Sequence, residues 1–203
     1  TGFGTLWLAP RLPKLYEKYP DLKIDLMLEE RVLDLPMREA DVAIRMKEPS
    51  QADLIRKRLM SVHMCLYATQ AYLDARGEPA SLDDMSAHRL ICQNPRSAQV
   101  GAGAMLVNEL MTNDISTLLT VNNYFGVLQG VLNNLGIGVL PDYLTRDFPQ
   151  LVRVLPEVQS VEVPVFLAYP EELRHSKRIA AFRDFVQDEI ISYRKTLKEQ
   201  AVS

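Results

Sequence analysis

The sequence predicts an α/β fold built from βαβ units around parallel strands. Three observations carry that expectation. Apolar runs of strand length, such as LKIDLML at 22–28 and DVAIRM at 41–46, alternate with segments whose apolar residues recur every three or four positions. Punctuating residues such as Pro20-Asp21 and Asn94-Pro95 separate these runs. A long closing segment carries Ile179, Phe182, Val186, Ile190 and Tyr193 on one helical face. With 203 residues, 47% of them hydrophobic and 24% charged, the chain has an ordinary globular composition and buries a core without disulfide or metal staples. Its length lies between one large domain and two small lobes.

Taken in order, residues 6–19 read as a helix with Leu8, Leu12, Leu15, Tyr16 and Tyr19 at helical spacing, ended by Pro20. A strand is expected at 22–28, a second helix at 32–40 despite Pro36, and a strand at 41–46. The stretch from 54 to 67 exceeds the usual strand length of about 5–6 residues, which suggests a strand that bends and crosses to a second sheet. A short helix at 68–75 precedes Gly77 and Pro79, and Ser81-Leu82-Asp83-Asp84 has capping-box character. Residues 89–93 read as a strand and 96–103 as a mobile loop. Strands are expected at 105–111 and 118–122. The segment 124–135 reads as a helix with Asn122 or Asn123 as N-cap and Gly136 as left-handed C-cap. Strands at 137–140 and 161–169 and the final helix at 176–197 complete the reading, with Pro141 opening a short helix between them.

Charge and composition exclude several function classes. Lys plus Arg number 23 against 26 for Asp plus Glu, a net charge of -3, and no basic patch of the kind that grips nucleic acid is visible. No apolar run approaches the roughly 20 residues that span a bilayer, so no membrane partner is expected. The two cysteines, Cys65 and Cys92, form neither a C-x-x-C pair nor a disulfide framework, which fits a reducing, cytoplasmic setting. No secretory signal opens the sequence, and its start at Thr1 rather than Met suggests a fragment.

Motifs for catalysis are scarce. His63, His88 and His175 stand at no metal-ligand spacing, and neither a G-x-S-x-G elbow nor a P-loop occurs, so the expectation is no enzyme, no metal and no cofactor. His88 beside Arg89 suits a helix end, where a cation meets carbonyls. Gly2-Phe3-Gly4 begins like a dinucleotide fingerprint, but Trp7 occupies the third glycine's place and rules it out. What remains is a glycine-flanked helix start that attracts anions or is a plain tight turn. Asn122-Asn123-Tyr124-Phe125 repeats the arrangement: a strand end, two amides, then two aromatics at a helix start, suited to a small polar ligand or to capping and packing alone. Arg31 and Arg45 fall at strand–helix junctions, where ligands of parallel sheets bind, although a plain surface arginine is the commoner case for each.

As an ordered set these residues resemble the effector-binding domain of LysR-type transcriptional regulators. The set comprises FGTLWLAPRLPKLYEKYPDLKIDLML, RVLDLPMREADVAIRM, LTVNNYFGVLQGVLNNLGIGVLPDYL, LVRVLPEV, VPVFLAYP and SKRIAAFRDFV, spread over essentially the whole chain. The resemblance implies a two-lobed fold of the type II periplasmic-binding-protein kind, each lobe a mixed, mostly parallel sheet flanked by helices. Lobe I would hold residues 1–59 and 163–203 and lobe II residues 60–162, with 54–67 as the first crossover. The first strand of lobe I would lie before Thr1, and the N-terminal winged helix-turn-helix is absent from this sequence.

The function implied is ligand sensing in a bacterial regulator. A small effector, a carboxylate or other anion, would bind between the lobes, and a homodimer or homotetramer would pass the signal to DNA through the absent N-terminal domain. The same resemblance makes Thr1, Gly2, Phe3, Arg31, Asn122, Asn123, Tyr124 and Phe125 effector-binding candidates, with Arg45 and Asn94 as further members. Two alternatives share the pattern: a periplasmic solute-binding protein of the same fold, and a redox sensor using Cys65 and Cys92. The bland reading of the two cysteines is that they are small apolar strand residues.

Overall fold

The computed structural model describes residues 2–29, 34–49, 51, 53–94, 101–111, 117–144 and 147–200. Contacts divide the chain into two compact units, one of residues 1–2 and 62–163, the other of residues 3–61 and 164–203.

In the 3–61/164–203 unit the chain opens with a π-helical turn, Phe3–Leu8, then a 3-10 turn, Ala9–Arg11, and helix α1, Leu12–Lys18. Pro10 and Pro13 fall in the first turns of the latter two, where a missing N–H costs nothing. A three-stranded sheet follows, with β1 (Ala43–Arg45), β2 (Leu54–Val62) and β8 (Val163–Pro170) in the order β1-β8-β2, β1 running antiparallel to β8. The closing helix α5, Lys177–Gln200, is bonded to α1 and to β2 through side chains. Arg11 stacks over the Trp7 ring at 4.5 Å and donates to the Trp7 carbonyl. Lys14 and Glu189 pair at 2.9 Å, and the Arg194 guanidinium donates to the Leu59 carbonyl at 2.7 Å. Trp7 is fully buried between Phe3 and Tyr193.

The other unit holds a five-stranded sheet in the order β5-β4-β6-β3-β7: β3 is Met64–Thr69, β4 Leu90–Gln93, β5 Thr117–Val121, β6 Ile137–Pro141 and β7 Leu151–Gln159. Helix α2 (Gln70–Arg76) follows β3. Helices α3 (Gly101–Met111) and α4 (Tyr124–Leu132) make the connections β4–α3–β5 and β5–α4–β6, and β4 accordingly runs parallel to both β5 and β6. The sheet is therefore mixed: its parallel part is centred on β4, while β3 runs antiparallel to β6 and β7. Val127, Leu128 and Val131 bury the inner face of α4. Close approach of helix to sheet needs glycine: a Cβ on Gly138 would run into Val131, and one on Gly130 would sit 3.1 Å from Ile91.

Several elements differ from expectation. Residues 22–29 keep the alternation of a strand, with Leu22, Ile24 and Leu26 half-buried and Lys23, Asp25 and Met27 exposed, yet pair with no strand among the described residues. Within 32–40, residues 35–38 form turns rather than helix. Arg38 has φ 59° and Pro36 sits in the turn closed by the Arg38 N–H on the Leu35 carbonyl; residues 32 and 33 lie outside the described set. The expected strand at 105–111 is α3, burying Leu106, Val107 and Leu110 at helical spacing. Of the expected loop at 96–103, residues 96–100 lie outside the described set and 101–103 open α3. Gly136 is not the left-handed C-cap. Asn134 takes that role with φ 60°, and Gly136 is small because any Cβ there would strike the Arg89 carbonyl. The stretch 54–67 is two strands of different sheets, broken at His63. His88 does end a 3-10 turn, Asp83–Ala87, but as a buried ring whose pKa is lowered by burial, not as a cation on carbonyls.

Candidate functional site

In a parallel sheet, ligand-binding residues collect where strands end and helices begin. The parallel strands β4 and β5 end side by side, Gln93 facing Val121 in register. Asn94 follows β4, and its N–H donates to the Val121 carbonyl at 2.8 Å. Asn122 and Asn123 follow β5 and lead directly into α4.

Asn123 is the N-cap. Its backbone is extended, φ -148° and ψ 156°, and its Oδ1 accepts from the Gly126 N–H at 2.9 Å. The Asn123 amide nitrogen donates to Asn122 Oδ1 at 2.9 Å, so the two side chains form one polar surface. Behind them Tyr124 is 7% exposed, whereas the Phe125 ring is 46% exposed. Phe125 therefore supplies the more exposed aromatic surface beside the buried Tyr124. Gly2 closes the group: a Cβ there would lie 3.1 Å from Tyr124 Cβ, so glycine eases the close approach of this residue to α4.

The structure thus brings Gly2, Asn94, Asn122, Asn123, Tyr124 and Phe125 to one edge of the 62–163 unit. Phe3 belongs to the other unit, and its ring is 5% exposed and stacked on Trp7 at 4.6 Å, so its side chain is committed to packing. Arg45 ends β1 in that same unit, half-buried. Burial lowers its pKa and the Asp34 charge raises it. Thr1 and Arg31 lie outside the described residues.

Sequence reading missed Gln93. It is 4% exposed, and its Nε2 donates to the Asn122 carbonyl at 2.8 Å, supporting the turn that carries both asparagines. The available signal was a glutamine closing the otherwise apolar strand Leu90–Gln93. Cys65 and Cys92 are fully buried in β3 and β4, and burial pushes each thiol up to about 11. A shallow hollow of about 360 Å3 lined by Glu78, Pro79, Ala80, Leu155, Pro156 and Glu157 contains none of the candidates. Among the described residues, no group of three or more His, Cys, Asp or Glu side chains could hold a metal ion, and no helix is long and apolar enough to cross a membrane.

A two-unit α/β chain with polar groups gathered at the carboxyl ends of parallel strands is the build of a small-molecule-binding domain. The family model described as LysR substrate binding domain matches residues 1–190, and the chain belongs to that family. An uncharacterized HTH-type transcriptional regulator of Haemophilus influenzae is 27% identical over 176 residues, 85% of this chain and 61% of the relative. The HTH-type transcriptional activator TtdR of Escherichia coli K12 is 28% identical over 194 residues, 91% and 61% of the two chains. The chain spans about three-fifths of the length of such relatives, which are regulators and not enzymes. Among solved structures, the CrgA regulatory domain of Neisseria meningitidis matches with TM-score 0.77 and 23% identity over 93% of this chain and 94% of that one. The full-length Vibrio cholerae virulence activator AphB matches with TM-score 0.69 and 23% identity over 91% and 64%. These neighbours have the same two-lobed periplasmic-binding-protein-like fold.

Proposed function

We propose that this chain is the effector-sensing domain of a LysR-type transcriptional regulator, and that a small carboxylate or other anion binds between its two units. The observation that carries the reading is the convergence of Asn94, Asn122, Asn123 and Phe125 at the ends of β4 and β5. There amides, the capped N-terminus of α4 and one exposed ring face the same edge. Arg45, and Arg31 by family resemblance, supply positive charge from the other unit. Thr1, Gly2 and Phe3 contribute through the opening of the first helix. The effector acts by favouring one arrangement of the units over another, which requires differential affinity and not merely tight binding. The full-length protein works in the cytoplasm as a homodimer or homotetramer and contacts DNA through an N-terminal helix-turn-helix.

Calorimetry against a panel of two- to six-carbon mono-, di- and hydroxycarboxylates tests the reading. At least one is expected to bind, and Asn123→Ala and Arg45→Ala are each expected to weaken it by about 1–3 kcal/mol, the usual worth of a hydrogen bond to a charged group. Binding unaffected by either substitution would move the site elsewhere. Binding of neutral but not anionic compounds would overturn the ligand class.

A further inference from the structure

The chain passes between its two units twice, at residues 61–62 and again at 163–164. On the 62–163 side of these passages stand His63, which separates β2 from β3, and Ser160, Val161 and Glu162, which separate β7 from β8. All four backbone polar groups of His63 and Met64 are bonded there, chiefly by two residues, with the Cys65 thiol also reaching the His63 carbonyl at 3.9 Å. The Asp142 N–H donates to the His63 carbonyl at 2.9 Å, and Asp142 Oδ2 accepts from the His63 N–H at 3.1 Å. The same oxygen lies 3.4 Å from His63 Nδ1. The Ser160 N–H donates to the Met64 carbonyl at 2.9 Å. Ser160 Oγ accepts from the Met64 N–H at 2.9 Å and donates to the Val161 carbonyl at 2.8 Å.

The bond from the Asp142 N–H to the His63 carbonyl makes Met64 and Pro141 a non-hydrogen-bonded pair of β3 and β6, so the Met64 N–H and carbonyl turn away from β6. Buried backbone groups without partners are costly. Ser160, itself 7% exposed, supplies both partners from the second crossover. Residues 64 and 160 lie 96 positions apart, and their bonds tie one crossover directly to the other.

We infer that Asp142 and Ser160 are a paired hinge clamp that fixes both crossovers to one rigid edge of the 62–163 unit. Any rearrangement of one unit against the other then bends the two connections together, just beyond the clamp, instead of fraying β3 or β7 separately. The functional weight of the clamp rests on the proposed effector response, but its existence does not, and the test uses no ligand. Positions Glu78 and Lys23 are exposed, one in each unit, and the native thiols are buried. Spin labels on Glu78→Cys and Lys23→Cys therefore report the distance between the units by double electron–electron resonance.

Ser160→Ala and Asp142→Ala should each broaden the distance distribution relative to the otherwise unchanged chain, while Ser160→Thr and Asp142→Asn, which keep an accepting oxygen, should leave it unchanged. A distribution that stays unchanged in both alanine variants overturns the inference. Should an alanine variant fail to fold, hydrogen exchange of the unsubstituted chain decides. Met64 and His63 amides protected as well as Leu66 support the clamp, and exchange at the rate of an open loop contradicts it.

Discussion

Burial decides what the two thiols can do. Cys65 and Cys92 are fully enclosed, and loss of solvent pushes both up to about 11, Arg153 opposing and Asp142 adding to the effect at Cys65. The thiolate is the reactive form, so at neutral pH both are shielded and protonated. Treatment of the native domain with peroxide or iodoacetamide should leave both unmodified by mass spectrometry, and both should react once the chain is unfolded in urea. Modification of either in the folded state would restore a sensing role. His88 illustrates the opposite sign. Burial, and then the Arg76 charge, lower its pKa from the ordinary 6.5, with Asp84 opposing. Its Nδ1 lies 3.3 Å from the Tyr72 hydroxyl, which itself accepts from the Arg89 N–H. A depressed folded pKa favours the native state above 6.5, and that contribution is lost as pH falls below it. The urea midpoint should therefore drop between pH 7.5 and 5.5, and His88→Gln should flatten the drop. An equally steep decline in the variant would assign it to other groups.

At the scale of elements, what could be read from the sequence was what local chemistry determines. The segment 124–135 announces α4 through its cap residue, its apolar spacing and its glycines, and Ile137–Pro141 and Lys177–Gln200 are equally plain. Residues 105–111 misled because a run of neighbouring apolar residues hides helical spacing. Only the packing of Leu106, Val107 and Leu110 with Met105 left 65% exposed reveals it. Residues 22–29 misled differently: their alternation is real, but a strand needs a partner, and partners are not written in the local pattern. The candidate site divides the same way. An asparagine cap at 122 or 123 was legible, and at Asn123 its donor, the Gly126 N–H, is only three residues on, whereas Gln93, Asp142 and Ser160 act across 29, 79 and 96 positions. Two substitutions test the element-level account. Asn123→Ala should cost about 1 kcal/mol for the lost cap. Gly138→Ala should cost about 1–3 kcal/mol, since its Cβ would meet Val131 in a packed interior. Unfolding in urea measures both, and an unchanged midpoint for Gly138→Ala would contradict the helix-on-sheet packing.

For the whole molecule, two compact units are joined twice by the same chain; one gathers polar groups at the ends of β4 and β5, and in the other Arg45 ends β1. The family match over residues 1–190 makes the chain a member of the LysR substrate binding domain family, and it spans about three-fifths of the length of its relatives. The central claim is that a small molecule is recognised at the edge formed by Gly2, Asn94 and residues 122–125. Amide-resolved NMR of the 203-residue chain, titrated with a fractionated bacterial metabolite extract and then with the purified active compound, tests it most directly. The account predicts saturable shifts concentrated at Gly2, Asn94, Asn122, Asn123, Phe125 and Gly126, together with a change in the emission of the single tryptophan, Trp7, whose ring stacks on Phe3. Saturable shifts confined to another part of the chain, with the 122–126 amides unmoved, would contradict it.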